Sequence, residues 1–118
     1  MVSVKEHIAR AERNMDDFKH IKINVECHKV ENAVYRIYVD NDLITERTFI
    51  WPGYKNYIRE NIICLLDPGE HTLTLENCSK HGYFDITDFT LNDSNTGLIS
   101  IKGDDSYTGR IITFQVNQ

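Results

Sequence analysis

The chain has 118 residues, with 13 Lys+Arg against 18 Asp+Glu and a formal net charge of −5. That length makes one domain with a real core, and the acidic balance lacks the basic footprint of a nucleic-acid or anionic-lipid binder. At 41% hydrophobic and 26% charged, the composition is that of a folded soluble protein. No run approaches the roughly 18 apolar residues of a membrane span, and the charged stretch Met1 to Phe18 lacks the apolar core of a secretion signal.

Ser3-Val4-Lys5-Glu6 reads as a capping box, in which the Ser3 hydroxyl accepts from the Glu6 amide while Glu6 reaches back. Behind it Val4, Ile8, Ala11, Met15 and Phe18 recur at helical spacing. The spacing predicts one amphipathic helix over residues 1–19. Its stripe is thin for a helical bundle and suits lying across a sheet or docking onto another chain.

From residue 20 the period changes from 3.6 to 2. Ile21, Ile23, Val25 and Cys27 alternate with Lys22, Asn24, Glu26 and His28, the pattern of a half-buried antiparallel strand. Tyr35, Ile37 and Val39 alternate with Arg36 and Tyr38, Asp40-Asn41-Asp42 supplies turn chemistry, and Leu43 to Ile50 completes a predicted hairpin. Pro52-Gly53 and Pro68-Gly69 each suit a type II turn. Arg59 to Leu66 and His71 to Leu75 flank the second and are expected to pair as the next hairpin, with Leu73 and Leu75 facing in. In Phe84 to Leu91 the phase slips, because Phe84 and Ile86 share one parity and Phe89 and Leu91 the other; a bulge near Thr87-Asp88 reconciles them. Leu98 to Ile101 and Arg110 to Val116 are the last strands.

About eight short strands with turns between them and one leading helix predict an all-β fold. The expected form is an antiparallel β-sandwich of jelly-roll or Greek-key type over residues 20–118 with one N-terminal α-helix. The strand–helix alternation of a parallel α/β sheet is absent.

No constellation marks catalysis. His7, His20, His28, His71 and His81 are scattered, and no nucleophile elbow or similar motif accompanies them; His71 reads as a satisfied inward or strand-end histidine rather than a base. Cys27, Cys64 and Cys78 are an odd number without paired knuckles, and adjacent Cys27 and His28 point to opposite faces of a strand, so they read as core and surface rather than zinc ligands. Asp40-Asn41-Asp42, Asp85 with Asp88, and Asp104-Asp105 offer oxygen ligands without an EF-hand spacing and read as turn residues. Isolated glycines give no phosphate loop. No cofactor or metal is therefore expected, and the odd cysteine count suits a reducing compartment.

The stretch Phe49-Ile50-Trp51-Pro52-Gly53-Tyr54-Lys55-Asn56-Tyr57 sets the only tryptophan and two tyrosines around a turn. Such aromatics stack on a sugar ring or anchor an interface, because they bury large area with little entropy loss. Equally, Trp51 can plug the open end of a sandwich with Tyr54 beside it. Both readings stay open.

Residues 35–51, YRIYVDNDLITERTFIW, resemble small β-sandwich proteins of tailed bacteriophages, as do Pro68 to Cys78 and Phe84 to Phe89. The same late stretch is similar to the paired strands of jelly-roll carbohydrate-binding modules. The first resemblance implies a non-enzymatic virion component (decoration, neck, baseplate or fibre-associated), assembled in the host cytoplasm from protein subunits that include its own copies. Val4, Ile8, Ala11, Met15 and Phe18 would then meet one neighbour, and Trp51, Tyr54 and Tyr57 a second. The other resemblance implies a glycan module, with Trp51, Tyr54 or Tyr57 stacking on a sugar and Asp85, Asp88 or Arg59 bonding its hydroxyls.

Overall fold

The computed structural model describes residues 18–28, 32–50, 57–79, 83–103 and 109–117. Eight strands run in chain order: β1 Phe18–His28, β2 Ala33–Val39, β3 Asp42–Phe49, β4 Tyr57–Leu65, β5 Gly69–Asn77, β6 Tyr83–Leu91, β7 Leu98–Gly103 and β8 Gly109–Val116. They form two antiparallel sheets, one of three strands in the order β4-β1-β6 and one of five in the order β3-β2-β5-β8-β7. The expectation of an all-β, sandwich-like fold of about eight strands holds. Val4, Ile8, Ala11 and Met15 of the predicted helix lie outside the described residues.

Alternation puts one face of each strand into a shared core. Ile21, Ile23 and Val25 of β1 meet Tyr35, Ile37 and Val39 of β2, Leu73 and Leu75 of β5, Phe84 and Ile86 of β6, and Ile112, Phe114 and Val116 of β8, all buried. Burying such side chains stabilises by about 1.5–3 kcal/mol each. Four aromatics lock the centre: Tyr35 meets Phe84 edge-on at 5.2 Å between centroids, and Phe89 tilts on Phe114 at 5.3 Å.

The tight turns follow their residues. Asp40 and Asn41 (φ 49° and 70°) make the two-residue loop closing β2 on β3, and Asn92 and Asp93 (φ 51° and 64°) do the same between Leu91 and Ser94. Asn and Asp tolerate the left-handed region that a type I′ hairpin turn demands. The predicted bulge in β6 is present: Asn24 pairs with Thr87 and Lys22 with Thr90, so Asp88 and Phe89 together oppose Ile23. Asp88 takes the positive φ, 54°, and Phe89 turns back into the core.

Two expectations are corrected. Phe18 and Lys19 belong to a strand, not a helix: β1 pairs Phe18 with Leu65 and Lys19 with Cys64. Lys19 occupies the inward phase there, which breaks the apolar alternation and hides the start of the strand. The segments around Pro68-Gly69 are strands as expected but do not pair. β4 bonds to β1 in the smaller sheet while β5 bonds to β2 and β8 in the larger, so Leu66 to Pro68 crosses between sheets. Each segment buries its apolar face in either arrangement; partner choice is set by neighbours distant in sequence.

Candidate functional site

The outward face of the three-stranded sheet gathers side chains from β1, β4 and β6. Antiparallel register aligns Tyr57 with Glu26 and Asp85 in one row, and Arg59 with Asn24 and Thr87 in the next. Residues directly opposite share a face, so the outer surface reads aromatic and polar at this end. Arg59 Nη1 donates to Asn24 Oδ1 at 2.9 Å, and Asn24 Nδ2 donates to Asp88 Oδ2 at 2.9 Å. The bulge makes this chain of bonds, because the positive φ at Asp88 turns its carboxylate out toward Asn24. One row further, Lys22 Nζ pairs with Asp93 Oδ1 at 2.9 Å, and this bond and charge hold the Asp93 carboxyl below its usual range. Tyr57 is exposed.

The far end of the same face is apolar. Ile63 stands opposite His20, Leu65 opposite Phe18; Ile63 is 70% exposed and Phe18 is also exposed. One sheet surface thus runs from a polar, aromatic end at Tyr57 to an apolar end where β1 begins.

Of the clusters of titratable groups elsewhere, two sit against the core, each paired within itself. Glu60 points inward from β4 and is 4% exposed. Its carboxylate accepts from Tyr35 Oη at 2.8 Å, Arg47 Nε at 2.8 Å and Arg47 Nη2 at 2.7 Å. Burial and the bond to Glu60 push the Tyr35 hydroxyl far above its ordinary range. Because Tyr35 and Arg47 belong to one sheet and Glu60 to the other, the cluster ties the sheets together.

At one end of the core, His71 Nδ1 meets Asp40 Oδ2 at 2.5 Å, its Nε2 meets the Asp67 carbonyl at 2.6 Å, and its ring stacks on Phe114. A ring facing acceptors at both nitrogens donates from both only as imidazolium. Burial pulls its pKa down, but the Asp40 bond, the Asp67 carbonyl and the two nearby carboxylates outweigh that and hold it above the ordinary value. His71 is thus the satisfied strand-end histidine expected of it. The Asp40 carboxylate also accepts from the Thr72 amide at 3.0 Å.

The structure therefore brings Tyr57, Arg59, Asp85 and Asp88 onto one face, and places Phe18 at its other end. Val4, Ile8, Ala11, Met15, Trp51 and Tyr54 lie outside the described residues, so the loop aromatics are not placed relative to Tyr57. Cys27, Cys64 and Cys78 form no disulfide; burial pushes Cys64 up to about 11, the behaviour of a small hydrophobe. Among the described residues no group of three or more His, Cys, Asp or Glu side chains could hold a metal.

Sequence reading missed Glu60 and Arg47. The signal was present: Glu60 shares the parity of buried Ile62, and Arg47 that of buried Phe49, so each is a charge in an inward phase. No family model, curated protein or solved structure matches the chain.

Proposed function

We propose that the protein is a non-enzymatic structural subunit that works by protein–protein assembly, its sandwich of Greek-key or jelly-roll type bearing the predicted N-terminal helix as a docking arm. The observation that carries this reading is the uncovered apolar end of the smaller sheet, where Ile63 at 70% exposure stands beside Phe18. Exposed apolar surface of this kind marks interaction sites. Val4, Ile8, Ala11 and Met15 precede Phe18 in the sequence, and in this reading they and the patch meet the same neighbouring subunit. The internal pairing of Glu60 and His71 also favours this reading, since each is committed to holding the fold. A bacteriophage virion is the setting proposed on the resemblance of residues 35–51, 68–78 and 84–89. Deleting residues 1–17 should weaken assembly, read as mass by light scattering, while the circular dichroism of the sheets is kept. A truncated chain that assembles like the full one at every concentration overturns the arm's part in the proposal.

The face shared by Tyr57, Arg59, Asn24 and Asp88 favours a second reading, a glycan-binding module. There Tyr57 stacks on a sugar ring and the Arg59–Asn24–Asp88 chain exchanges hydrogen bonds with hydroxyls; Trp51 and Tyr54, close to Tyr57 in the sequence, are the further stacking candidates. Binding on a glycan array that is lost in Tyr57→Ala, at an unchanged Tm, supports it. No binding across a broad array removes it.

A further inference from the structure

The four strands at the sheet edges are not equally protected against pairing with another chain. β3 carries Glu46 and Arg47, and its register slips so that Ile44 has no opposite residue. β4 is joined to β3 through Arg47 and Glu60. β6 carries Asp85 and Asp88 and the bulge. Charges and bulges of this kind are how natural sheets blunt an edge. β7 differs, because Leu98-Ile99-Ser100-Ile101-Lys102-Gly103 has a single charge. Its register slips only at Ile99, and Ser100 to Gly103 pair regularly with β8.

The smaller sheet covers only the start of β7, where Leu98 packs against the core. Ile101 lies opposite Ile112, so both take the same face; Ile112 is 0% exposed, whereas Ile101 is 39% exposed. Cover from the other sheet ends between these two side chains. Ile99 is 54% exposed on the same strand.

We infer that β7 pairs antiparallel with β7 of a second copy about a twofold axis beside Ile101, joining the two five-stranded sheets into one. This rests on the assembly reading and names a partner for it. The strand is self-complementary in that register: Ile101 meets the partner's Ile101, extending the apolar row that Ile112 begins, while Lys102 meets the partner's Ser100. Sliding the axis to Lys102 would set two lysines opposite each other, so charge selects the register. A twofold closes the assembly at a dimer. One six-residue strand per copy falls well short of the roughly 20–30 residues a side of a standard stable interface, so the dimer is weak and concentration-dependent. Each copy carries −5, so added salt tightens it by screening the repulsion.

Sedimentation of the full chain from about 10 µM to about 1 mM tests this. The mass should rise from 13.8 kDa toward twice that value, and more readily in high salt. Ile101→Lys, which opposes two like charges at the axis, should weaken the dimer about tenfold or more. Ile44→Lys, on the opposite edge, should leave it unchanged. Should Ile101→Lys lose its sheet spectrum, Ser100→Lys places like charges across the 100/102 pair from the solvent side and should weaken it likewise. A wild-type monomer throughout the range overturns the β7 pairing and self-assembly together. An oligomer that survives both β7 variants overturns the pairing while upholding self-assembly.

Discussion

Arg47 of β3 and Glu60 of β4 face each other across the side of the core where the edge strands of the two sheets meet, joined by two parallel hydrogen bonds of 2.8 and 2.7 Å. The pair is asymmetric: the Arg47 side chain is 45% exposed and that of Glu60 5%. Water can take up the guanidinium if its partner is lost, but not the carboxylate. The Glu60 hydrogen bonds hold Arg47 above its ordinary pKa, with burial acting against them.

That asymmetry predicts unequal mutants. Arg47→Ala strands a buried carboxylate with Tyr35 as its remaining donor and should cost about 3–5 kcal/mol. Glu60→Gln keeps an acceptor for Tyr35 and removes the charge, and should cost about 1–3 kcal/mol. Urea unfolding of both variants measures the difference; equal losses would mean that the clasp is not the cause.

The His71 latch predicts a loss of stability on the alkaline side. Its pKa is raised in the folded state, so the folded protein binds the proton more tightly than the unfolded chain. The contribution is fully present below the unfolded value, about 6.5, and fades as pH rises through the folded value. Above that, one ring nitrogen becomes an acceptor facing an acceptor, either Asp40 Oδ2 or the Asp67 carbonyl. Tm of the wild type should fall across this window, and Tm of His71→Gln should not follow it. Parallel curves would rule the latch out.

Gly109 and Gly69 both have positive φ, 109° and 131°, yet differ in surroundings. A Cβ at 109 would run into the Leu75 carbonyl oxygen, whereas one at 69 meets nothing within 4 Å. Gly109→Ala should therefore cost more than Gly69→Ala, which bears backbone strain of about 1 kcal/mol without a clash. Chemical denaturation of the two variants reads this directly.

Cys64 should be a slow thiol. Its pKa of about 11, against an ordinary 9.0, leaves about a hundredfold less thiolate near neutral pH. A variant keeping Cys64 as its sole cysteine should react with a disulfide reagent at least about tenfold more slowly than after unfolding, the greater nucleophilicity of the remaining thiolate offsetting part of the lost fraction. Similar rates folded and unfolded would contradict its burial in the core.

Much of this architecture was legible in residues alone. Strict alternation in β1, β2 and β8 assigned the buried faces, because a pleated strand alternates its side chains whatever its neighbours are. The change of parity between Ile86 and Phe89 located the β6 bulge for the same reason. Asp40-Asn41 marked its turn through backbone tolerance, again a local property. Local residue chemistry thus sets the face of each strand and the places where the chain reverses. Which strands are neighbours is settled by packing between segments distant in the chain. A period of two says which side chains point inward but nothing about the sheet in which a strand lies, so β4 and β5 looked like a hairpin and belong to different sheets. The Arg47–Glu60 clasp follows from that placement, since two inward charges become a pair only when β3 and β4 are brought edge to edge.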